Sequence, residues 1–555
     1  MNKPWLTRYP EGMPSTIDPS KHASLASMFE SVCEAFSSKP AFSCMGKNIS
    51  YSELEVLTRQ LASYFQNELK LKKGDRIAIM SPNLLQYPVA LFAALRSGLT
   101  VVNVNPLYTA PELKHQLNDS GAVAIVVVAN FASVLEEVVD QTNIRHIIVT
   151  EIGDMLGSFR SILVNGVVRY VKKMVPKYRL PEAVSFRQAL KNSPANDFQP
   201  VDVQPDDVAF LQYTGGTTGV AKGAILTHQN MVANTEQVLA YLEPLKQEQD
   251  EVAITALPLY HIFCLTANCL SFFSRGATNV LITNPRDFPA FVKELGQWRF
   301  SFITGVNTLF NALLHEPGFN KLDFSGVKLS IGGGMAVQKD VARQWKQATG
   351  CFIIEGYGLT ESSPLVSVNP IDITDYTGSI GIPAPNTDVS FRDETEAEVP
   401  AGDIGELWVK GPQVMRGYWQ RPDETEATLT QDGWLKTGDM GYIDDVGFMY
   451  LVDRKKDIVI VSGFNVYPNE VEDALTQHPD ILEAACIGVD DDNSGEVVKA
   501  FIVFEAGKSL TEDEIKSFLH QSLTAYKIPK KFEFRDELPK TNVGKILRRA
   551  LREED

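Results

Sequence analysis

The strongest constraint on the fold of this 555-residue chain is an alternation of helical and strand patterns between residues 25 and 150. Apolar residues recur at helical spacing over residues 54–68, whereas residues 76–80 and 124–129 are short and almost wholly apolar. Strands that alternate with helices predict a mostly parallel sheet covered by helices on both faces. The alternation resumes after residue 208, with strands predicted at 252–257, 278–282 and 302–304. We therefore predict an α/β fold whose large N-terminal part holds two mostly parallel sheets wrapped by helices.

The pattern changes near residue 380. Short strands at 406–410 and 447–452, separated by glycine turns, indicate a small β-rich subdomain that ends near residue 453. The dense charge cluster DRKKD then precedes a compact α+β unit of about 100 residues, whose last helix we predict near 511–524. We place the domain boundary between these units, so that residues 1–453 form one domain and residues 454–555 form a second.

The composition excludes several classes of partner and site. Lys and Arg number 52 against 69 Asp and Glu, so the net charge is −17 and a nucleic-acid partner, which needs a basic face, is not expected. The six cysteines are scattered without a CxxC pair, which argues against a zinc site or a disulfide framework. No apolar run reaches about 20 residues and the N-terminus lacks the apolar core of a signal peptide, so we expect a cytoplasmic protein.

Residues 213–223, YTGGTTGVAKG, follow a short apolar strand and combine glycines, hydroxyl side chains and one lysine. Glycines let backbone N–H groups point at bound oxygens, while hydroxyls and an ammonium add donors and positive charge. The neighbours of Lys222 are Ala221 and Gly223, so the segment does not match the Walker pattern. A flexible surface loop is the ordinary alternative, but this order of residues after a strand favours a phosphate-binding loop.

Four further segments carry glycines, aromatic rings or acids at strand ends and turns: PLYHIF at 258–263, SIGGGM at 330–335, EGYGLTE at 355–361 and WLKTGD at 434–439. Tyr357 offers an aromatic face between glycines, and Glu361 carries the oxygen ligands that Mg²⁺ prefers. Each segment also has an ordinary interpretation. His261 could be a structural histidine, Glu361 could stabilise a helix N-terminus, and TGD alone is a common turn.

Taken in order, these segments resemble the adenylate-forming enzymes, which include acyl-CoA synthetases, luciferases and nonribosomal-peptide adenylation domains. PKTNVGKI at 539–546 resembles the terminal lysine motif of that family, and GFNVYP at 463–468 resembles its pantetheine segment. The match extends from about residue 40 to residue 548. DRKKDIVIVSGFNVYPNE together with DGWLKTGD is most similar to bacterial long-chain fatty-acid–CoA ligases.

The resemblance implies a role for each matched residue. Catalysis is implied for Lys545, Lys222, Glu361 and His261, with Mg²⁺ held by Glu361 and Thr214. The implied contacts to ATP and coenzyme A are Tyr213, Thr214, Gly215, Gly216, Thr217, Thr218, Gly219, Lys222, Gly333, Gly334, Glu355, Gly356, Tyr357, Gly358, Thr360, Asp439, Arg454, Lys456, Gly463 and Lys545.

The resemblance also implies that the small C-terminal domain is mobile and turns about a hinge at Lys456. Without the resemblance, the DRKKD segment would be interpreted as a solvated linker, and such a linker would also be flexible. The chain departs from many relatives at one position, because Ile460 stands where they place a lysine four residues after the hinge. We therefore do not transfer a role for that lysine in thioester formation.

The implied activity is ATP-dependent activation of a long-chain fatty acid to acyl-AMP, followed by thioester formation with coenzyme A. A medium-chain or aryl acid–CoA ligase would share the same motifs, as would a ligase that loads a carrier protein. A non-catalytic fatty-acid uptake or binding protein is the alternative from another class. A homodimer stays open as the oligomeric state.

Residues 155–180 contain six basic residues and no acid, within a protein of net charge −17. Apolar residues interleave with the basic ones, which suits a segment that lies on an anionic membrane surface. Such a contact would place the protein on the inner face of the cell membrane. A surface helix that packs its apolar side on the protein is an equally good interpretation.

Overall fold

The computed structural model describes residues 3–214, 221–248, 250–491, 494–541, 544 and 546–554. Several predicted site residues lie outside the described residues: Gly215, Gly216, Thr217, Thr218, Gly219 and Lys545. Among the described residues the strands form four sheets, here called sheets I to IV.

Sheet I has nine strands in the described part of the chain, and its central neighbours are parallel. Antiparallel pairs occur only towards its two edges within the described residues. In spatial order the strands are Ile382–Pro383, Leu365–Val368, Ile353–Gly358, Leu329–Gly333, Phe302–Gly305, Val252–Thr255, Thr278–Leu281, Pro40–Cys44 and Lys47–Ser50.

Sheet II has seven strands among the described residues, and all its neighbours are parallel except the last pair. In spatial order they are Val184–Ser185, His146–Thr150, Ala124–Val128, Arg76–Met80, Thr100–Val104, Val208–Thr214 and Lys222–Thr227. Fully buried strands of this kind read as continuous apolar runs, which explains why the sequence indicated them clearly.

The α-helices cover both sheets, and one of them is buried along its whole length. Every residue of helix Gln86–Arg96 is buried, and side chains of sheets I and II share one apolar core with it. The α-helices of the described residues are Leu25–Ala35, Tyr51–Asn67, Gln86–Arg96, Ala110–Ser120, Ala132–Val138, Ser158–Gly166, Phe186–Lys191, His228–Leu242, Ile262–Cys264, Phe288–Leu295, Asn307–His315, Lys339–Thr349, Pro422–Thr428, Pro468–Thr476, Glu512–Leu519 and Arg548–Glu553.

Local side-chain chemistry fixes where several helices begin. The Ser50 hydroxyl accepts the Glu53 N–H, and the Glu53 carboxylate accepts the Ser50 N–H, which forms a capping box. Thr511 and Glu514 form the same reciprocal pair at the start of helix Glu512–Leu519. Such boxes satisfy backbone donors that the first helical turn leaves without partners.

Sheets III and IV are antiparallel for the most part and follow sheets I and II in the chain. Sheet III consists of Asp388–Arg392, Gly405–Lys410, Leu435–Ile443 and Met449–Arg454. Sheet IV consists of Phe464–Val466, Val459–Val461, Gly495–Phe504, Ile481–Asp491 and Lys531–Phe534, and its own apolar clusters pack against its two faces.

The predicted fold class is confirmed, since two mostly parallel sheets precede a small β-rich part and a compact α+β unit. One element was predicted wrongly: helix Glu512–Leu519 is not the last, because helix Arg548–Glu553 follows it. That short helix is strongly basic and buries only Leu551 among its residues, so it shows no apolar periodicity in the sequence. The boundary at 453/454 stays a proposal; sheet III ends at Arg454 and sheet IV begins at Val459.

Candidate active site

Sheet III and sheet I together build what we call the ribose side of the site, formed by Tyr357, Asp439 and Arg454. Asp439 and Arg454 face each other on neighbouring antiparallel strands of sheet III, with Arg454 Nε 2.9 Å from Asp439 Oδ1. The Tyr357 hydroxyl, from sheet I, donates to Asp439 Oδ2 at 2.5 Å. Asp439 is only 4% exposed and the Arg454 side chain is 39% exposed, so the structure gathers three predicted residues around one buried carboxylate.

The Asp439 carboxylate controls the protonation of its neighbours. It raises the pKa of the Arg454 guanidinium, and burial with help from Asp439 raises the pKa of Tyr357 well above its ordinary value. Tyr357 is therefore a neutral donor and Arg454 a cation at neutral pH. The carboxylate keeps spare lone pairs, so it can accept further hydroxyl hydrogens such as those of a ribose.

The phosphate side of the site contains Thr214, Lys222 and Glu361, together with Tyr418 and Glu424. Thr214 and Lys222 pair across the antiparallel strands that flank the predicted phosphate-binding loop. Lys222 forms an ion pair with Glu424, and its ammonium lies 5.0 Å from the centre of the Tyr418 ring. The Tyr418 hydroxyl donates to Glu361 Oε1 at 2.6 Å, so the structure places the predicted cation and the predicted metal ligand around one aromatic side chain.

The donor set around Glu361 fits Mg²⁺. Glu361 and Thr360 belong to the 3₁₀ turn Thr360–Ser362. Thr214 supplies a hydroxyl at the end of strand Val208–Thr214, which neighbours this turn. Among the described residues no group of three or more His, Cys, Asp and Glu side chains could hold a metal ion. Mg²⁺ suits a site of one carboxylate, since it usually retains water and takes its other ligands from substrate phosphates.

The Tyr213 hydroxyl bonds to a side chain of the protein and is not available to a nucleotide. That hydroxyl donates to Asp119 Oδ2 at 2.7 Å, and Arg421 Nη2 lies 2.6 Å from Asp119 Oδ1. The Tyr213 ring packs 3.1 Å from the position of a Cβ added at Gly223. Asp119 thus fixes the strand that leads into the phosphate-binding loop.

On what we call the adenine side of the predicted site, glycine backbones lie close to one another. Gly333 and Gly356 face each other on neighbouring parallel strands of sheet I. A Cβ on Gly333 would lie 3.2 Å from both the Gly356 carbonyl oxygen and the Phe263 ring, so a side chain there would need its neighbours to move. At Gly358 an added Cβ would lie 2.0 Å from the Pro364 carbonyl oxygen, which excludes any other residue.

Glu355 lies under this glycine surface and is held by the backbone. One of its carboxylate oxygens accepts the Val337 N–H at 2.9 Å. Burial raises the pKa of Glu355 to about 7, although that hydrogen bond opposes the rise. Its carboxyl group is therefore divided between two protonation states near neutral pH.

His261 is half-buried at the start of the short helix Ile262–Cys264. Its Nδ1 accepts the Phe263 N–H at 3.4 Å, so the ring caps this turn. Phe263 of the same turn touches the position of a Cβ on Gly333. The structure thus brings the PLYHIF segment to the adenine side, while a catalytic role for His261 stays a prediction.

Gly544 of the terminal lysine motif lies against the large N-terminal part. A Cβ on Gly544 would lie 2.7 Å from Thr308 Oγ1 and 3.7 Å from Val306 Cγ2. Val306 is also the nearest neighbour of a Cβ on Gly334, at 3.9 Å. Gly544 and Gly334 therefore approach the same side chain, which puts the residue before Lys545 next to the predicted nucleotide site.

Lys456 lies between sheet III and sheet IV, and Gly463 lies in a hairpin turn of sheet IV. Lys456 belongs to the 3₁₀ turn Lys455–Asp457, and burial lowers its pKa. Gly463 has a φ of 84° in the turn between Val459–Val461 and Phe464–Val466, and a side chain there would meet open space. Ile460 is 53% exposed.

Comparison with protein families identifies this arrangement. Residues 29–419 match the AMP-binding enzyme family, and residues 470–545 match the AMP-binding enzyme C-terminal domain. The chain belongs to the AMP-binding enzyme family. The predicted site residues from Tyr213 to Glu361 fall within the first matched region and Lys545 within the second, whereas Asp439, Arg454, Lys456 and Gly463 lie between the two.

Full-length relatives in this AMP-binding enzyme family include named ligases. The long-chain-fatty-acid–CoA ligase of Escherichia coli O6:H1 is 57% identical over 554 residues, which cover 100% of this chain and 98% of the relative. That of Bacillus subtilis strain 168 is 38% identical over 100% of this chain and 98% of the relative. A crystal structure of the anthranilate CoA ligase AuaEII with anthranoyl-AMP has a TM-score of 0.85 at 23% identity, covers 97% of this chain and 99% of that one, and shows the same fold.

Sequence reasoning missed three residues of this AMP-binding enzyme site. They are Asp119, Tyr418 and Glu424, which contact Tyr213, Glu361 and Lys222 respectively. Tyr418 and Glu424 follow the glycine of RGYWQRPDE, a polar turn with no local sign of its contacts. Only the folded chain brings them to the phosphate side.

Proposed function

We propose that the chain is an AMP-forming ligase that joins a long-chain fatty acid to coenzyme A, with ATP and Mg²⁺. The observation that carries the substrate class is the similarity of 54–57% identity over the whole chain to long-chain-fatty-acid–CoA ligases of several bacteria. The geometry supports this, because Glu361 of the phosphate side helps raise the pKa of Arg454 on the ribose side, and Gly544 and Gly334 both approach Val306.

The first half-reaction faces an electrostatic obstacle rather than a need for a general base. A fatty carboxylate is ionised at pH 7, since the pKa of a carboxyl group is near 4. One carboxylate oxygen forms a bond to the α-phosphorus of ATP, the bond from that phosphorus to pyrophosphate breaks, and acyl-AMP remains. Lys222 and Lys545 would reduce the repulsion between the two anions and stabilise the charge that develops on the phosphate.

Several residues hold the nucleotide during that step. Asp439 would accept the ribose hydroxyls, Tyr357 would face the purine, and Glu361 with Thr214 would hold Mg²⁺. When bound, the ion neutralises phosphate charge and orients pyrophosphate as a leaving group. The glycine surface at Gly333 would let the purine approach the backbone closely.

In the second half-reaction the sulfur of coenzyme A forms a bond to the acyl carbon, the bond from that carbon to AMP breaks, and the thiol proton is released. We propose that the residues after Lys456 turn about this hinge between the two steps, while Arg454 stays with sheet III. That rotation would withdraw Lys545 and bring the turn at Gly463 to the path of the thiol. The open space around Gly463 supports this assignment.

The activity is tested by exchange of labelled pyrophosphate into ATP and by AMP release with coenzyme A, over acids from acetate to oleate and including cinnamates. We expect the highest kcat/KM with long-chain acids. A preference for cinnamates would replace the substrate class with aryl acids, and acyl-AMP formation without transfer to coenzyme A would indicate a carrier protein as the acceptor.

Lys545→Ala tests the two-step account. We expect acyl-AMP formation to fall by at least about a hundredfold, while thioester formation from supplied acyl-AMP is retained. Gly463→Leu should show the opposite pattern, since its side chain would enter the proposed thiol path. An equal loss of both half-reactions in Lys545→Ala would contradict the rotation.

We further propose that residues 155–180 contact an anionic membrane surface. Phe159, Ile162, Tyr170 and Val171 are 73–80% exposed along helix Ser158–Gly166 and the π-helical turn that follows it. Arg160 and Arg169 lie among them, although Arg160 bonds the Met45 and Gly46 carbonyls and Arg169 pairs with Glu151. The remaining cations follow directly in the chain: Lys172, Lys173, Lys177 and Arg179. Apolar side chains that insert between headgroups, beside cations that face anionic lipid, suit a surface-bound segment. Along the described residues no helix has the length and apolarity needed to span a bilayer.

This contact is tested by sedimentation with vesicles that contain phosphatidylglycerol. Lys172→Gln combined with Lys173→Gln should weaken binding at low salt by about thirtyfold, since each lysine near such a surface contributes about 1 kcal/mol. Lys70→Gln combined with Lys72→Gln is the matched control, because these lysines are also exposed but lie on another surface. If the wild-type protein does not bind at low salt, the contact does not exist.

A further inference from the structure

A buried cluster of charges lies where sheet III meets sheet IV, and the proposed chemistry does not use it. Its acidic members are Asp453, Asp457 and Glu472, and its basic members are Arg548 and Arg552. The Asp453 side chain has no exposed surface, and that of Arg548 is 17% exposed. Buried charges are costly unless they are paired, so this cluster constrains the structure around it.

One half of the cluster lies within the small C-terminal unit. Arg548 donates from Nε and Nη2 to the two oxygens of Glu472, at 3.1 and 2.7 Å. Glu472 belongs to helix Pro468–Thr476 and also accepts the Cys486 N–H of sheet IV at 2.7 Å. These bonds connect the last helix to sheet IV and stay within residues 454–555.

The other half of the cluster crosses the proposed hinge. Asp453 is the last residue but one of a sheet III strand, where it pairs with Met440. Its Oδ2 accepts the Asn469 N–H at 2.7 Å, and its Oδ1 lies 3.4 Å from Arg548 Nη1. The Asn469 side chain also donates to the Val452 carbonyl at 3.2 Å. Burial raises the pKa of Asp453 while Arg548 opposes that rise, so the carboxylate depends on its partners across the hinge.

The position of Arg548 in the chain connects this cluster to the reaction. Arg548 follows Lys545 by three residues, and Gly544 contacts Thr308 of the large N-terminal part. The orientation in which Asp453 holds Arg548 and Asn469 is thus the one in which the lysine motif lies beside the nucleotide site.

We propose that Asp453 is a positioning residue for the acid-activating step, which fastens Arg548 and Asn469 across the hinge so that the lysine motif faces the nucleotide. This inference rests on the proposed two-step function. When the residues after Lys456 turn, Asp453 stays with sheet III and loses Arg548 and Asn469, whereas Glu472 keeps Arg548. Asp453 therefore favours the first half-reaction over the second, and Glu472 supports both equally.

The test compares Asp453→Asn with Glu472→Gln. The second change removes the charge of the other main partner of Arg548, and that ion pair lies wholly on one side of the hinge. Pyrophosphate exchange and thioester formation from supplied acyl-AMP are measured for both variants, with thermal unfolding. For Asp453→Asn we expect exchange to fall about tenfold while thioester formation is unchanged or faster, because an amide hydrogen replaces one of the acceptors. For Glu472→Gln we expect a lower unfolding temperature and the same ratio of half-reactions as in the wild type.

Equal losses of both half-reactions in Asp453→Asn would overturn the proposal, as would a changed ratio in Glu472→Gln. If Asp453→Asn does not fold, Asn469→Ala removes the bond to Val452 and should lower exchange about threefold relative to thioester formation. An unchanged ratio in that variant also overturns the proposal. A wild-type protein that exchanges no pyrophosphate with any fatty acid would instead refute the proposed function itself.

Discussion

The ribose side and the phosphate side of the nucleotide site are built in opposite ways. On the ribose side, Asp439 is almost fully buried and already bonds Tyr357 and Arg454. On the phosphate side, Lys222 and Glu424 pair with each other, and their side chains are 29% and 41% exposed. The Arg454 side chain is 39% exposed, so the buried Asp439 is what distinguishes the ribose side. One side is thus organised before a nucleotide arrives, whereas the other must exchange a partner to bind phosphate.

This difference separates two tasks that one site has to perform. A fixed ribose side holds the nucleotide without further ordering, which reduces the entropy cost of binding. The phosphate side has to release pyrophosphate after each first step, so a cation with an internal counter-ion suits it. Of the four predictions below, three test whether the two sides differ as described and one concerns Glu355 of the adenine side, and they begin with the largest expected effect.

Glu361→Gln should remove most of the activity on the phosphate side. We expect pyrophosphate exchange to fall about 10²–10³-fold with little change in stability, because glutamine still accepts from Tyr418 but does not hold Mg²⁺ as a carboxylate does. Exchange rates over a range of Mg²⁺ concentrations measure the effect. Tyr418→Phe keeps the carboxylate and should cost about tenfold; equal losses in the two variants would argue against the metal role.

Asp439→Asn should damage both stability and nucleotide binding on the ribose side. We expect the free energy of unfolding to fall by about 1–3 kcal/mol, since Tyr357 and Arg454 lose a charged acceptor, and ATP affinity to fall at least tenfold. Urea unfolding and calorimetric titration with ATP measure the two effects. The control is Lys436→Gln, at a residue on the same strand as Asp439. This change breaks an exposed ion pair with Glu396 and should change stability by less than about 1 kcal/mol. An Asp439 variant as stable as this control would show that the ribose side is not prebuilt.

Glu355→Gln should change how stability depends on pH. A folded-state pKa of about 7 exceeds the ordinary value of 4.5, so this carboxyl group stabilises the fold below pH 4.5 and the contribution is lost as pH rises through 7. Glutamine does not ionise, so the variant should gain up to about 3 kcal/mol over the wild type between pH 5 and pH 8. Urea unfolding at the two pH values tests this, and a constant difference between the proteins would exclude the raised pKa.

Glu424→Gln should have the smallest effect, and it should strengthen binding, unlike the two losses of activity and affinity expected at Glu361 and Asp439. Without its counter-ion Lys222 is available to phosphate, so we expect pyrophosphate to bind about twofold to fivefold more tightly at low salt. The gain should shrink at high salt, because the pair is partly exposed. Glu426→Gln on the same helix makes the same change of charge at an exposed position and should bind pyrophosphate as the wild type does. Weaker binding in Glu424→Gln would mean that Glu424 orients Lys222 for phosphate instead of competing for it.

The sequence predicted individual strands and helices better than it predicted how the strands assemble into sheets. Strand Arg76–Met80 has the predicted bounds, since a buried parallel strand is a short apolar run between turns. The sheet that a strand joins is decided by distant partners. Pro40–Cys44 lies in sheet I beside Thr278–Leu281, while Arg76–Met80, which comes soon after it in the chain, lies in sheet II.

The same limit applies to the site. Asp439 and Arg454 lie on adjacent strands of one hairpin, so their contact follows from local structure. Tyr418 reaches Glu361 across 57 residues of chain, and no periodicity or motif in the intervening sequence indicates that contact. Helix Arg548–Glu553 escaped prediction for a related reason, because ion pairs with distant acids hold it rather than an apolar face.

The pairing of strand Pro40–Cys44 has a consequence for how the protein is made. Thr278 Oγ1 bonds the Pro40 carbonyl oxygen across 238 residues of chain, so this strand has no neighbour on that side until much of the polypeptide has left the ribosome. At about 5–20 residues per second the delay is roughly 10–50 s. During that time the hairpin of strands Pro40–Cys44 and Lys47–Ser50 lacks its partner strand Thr278–Leu281. A chaperone that shields nascent chains should therefore raise the yield of active protein.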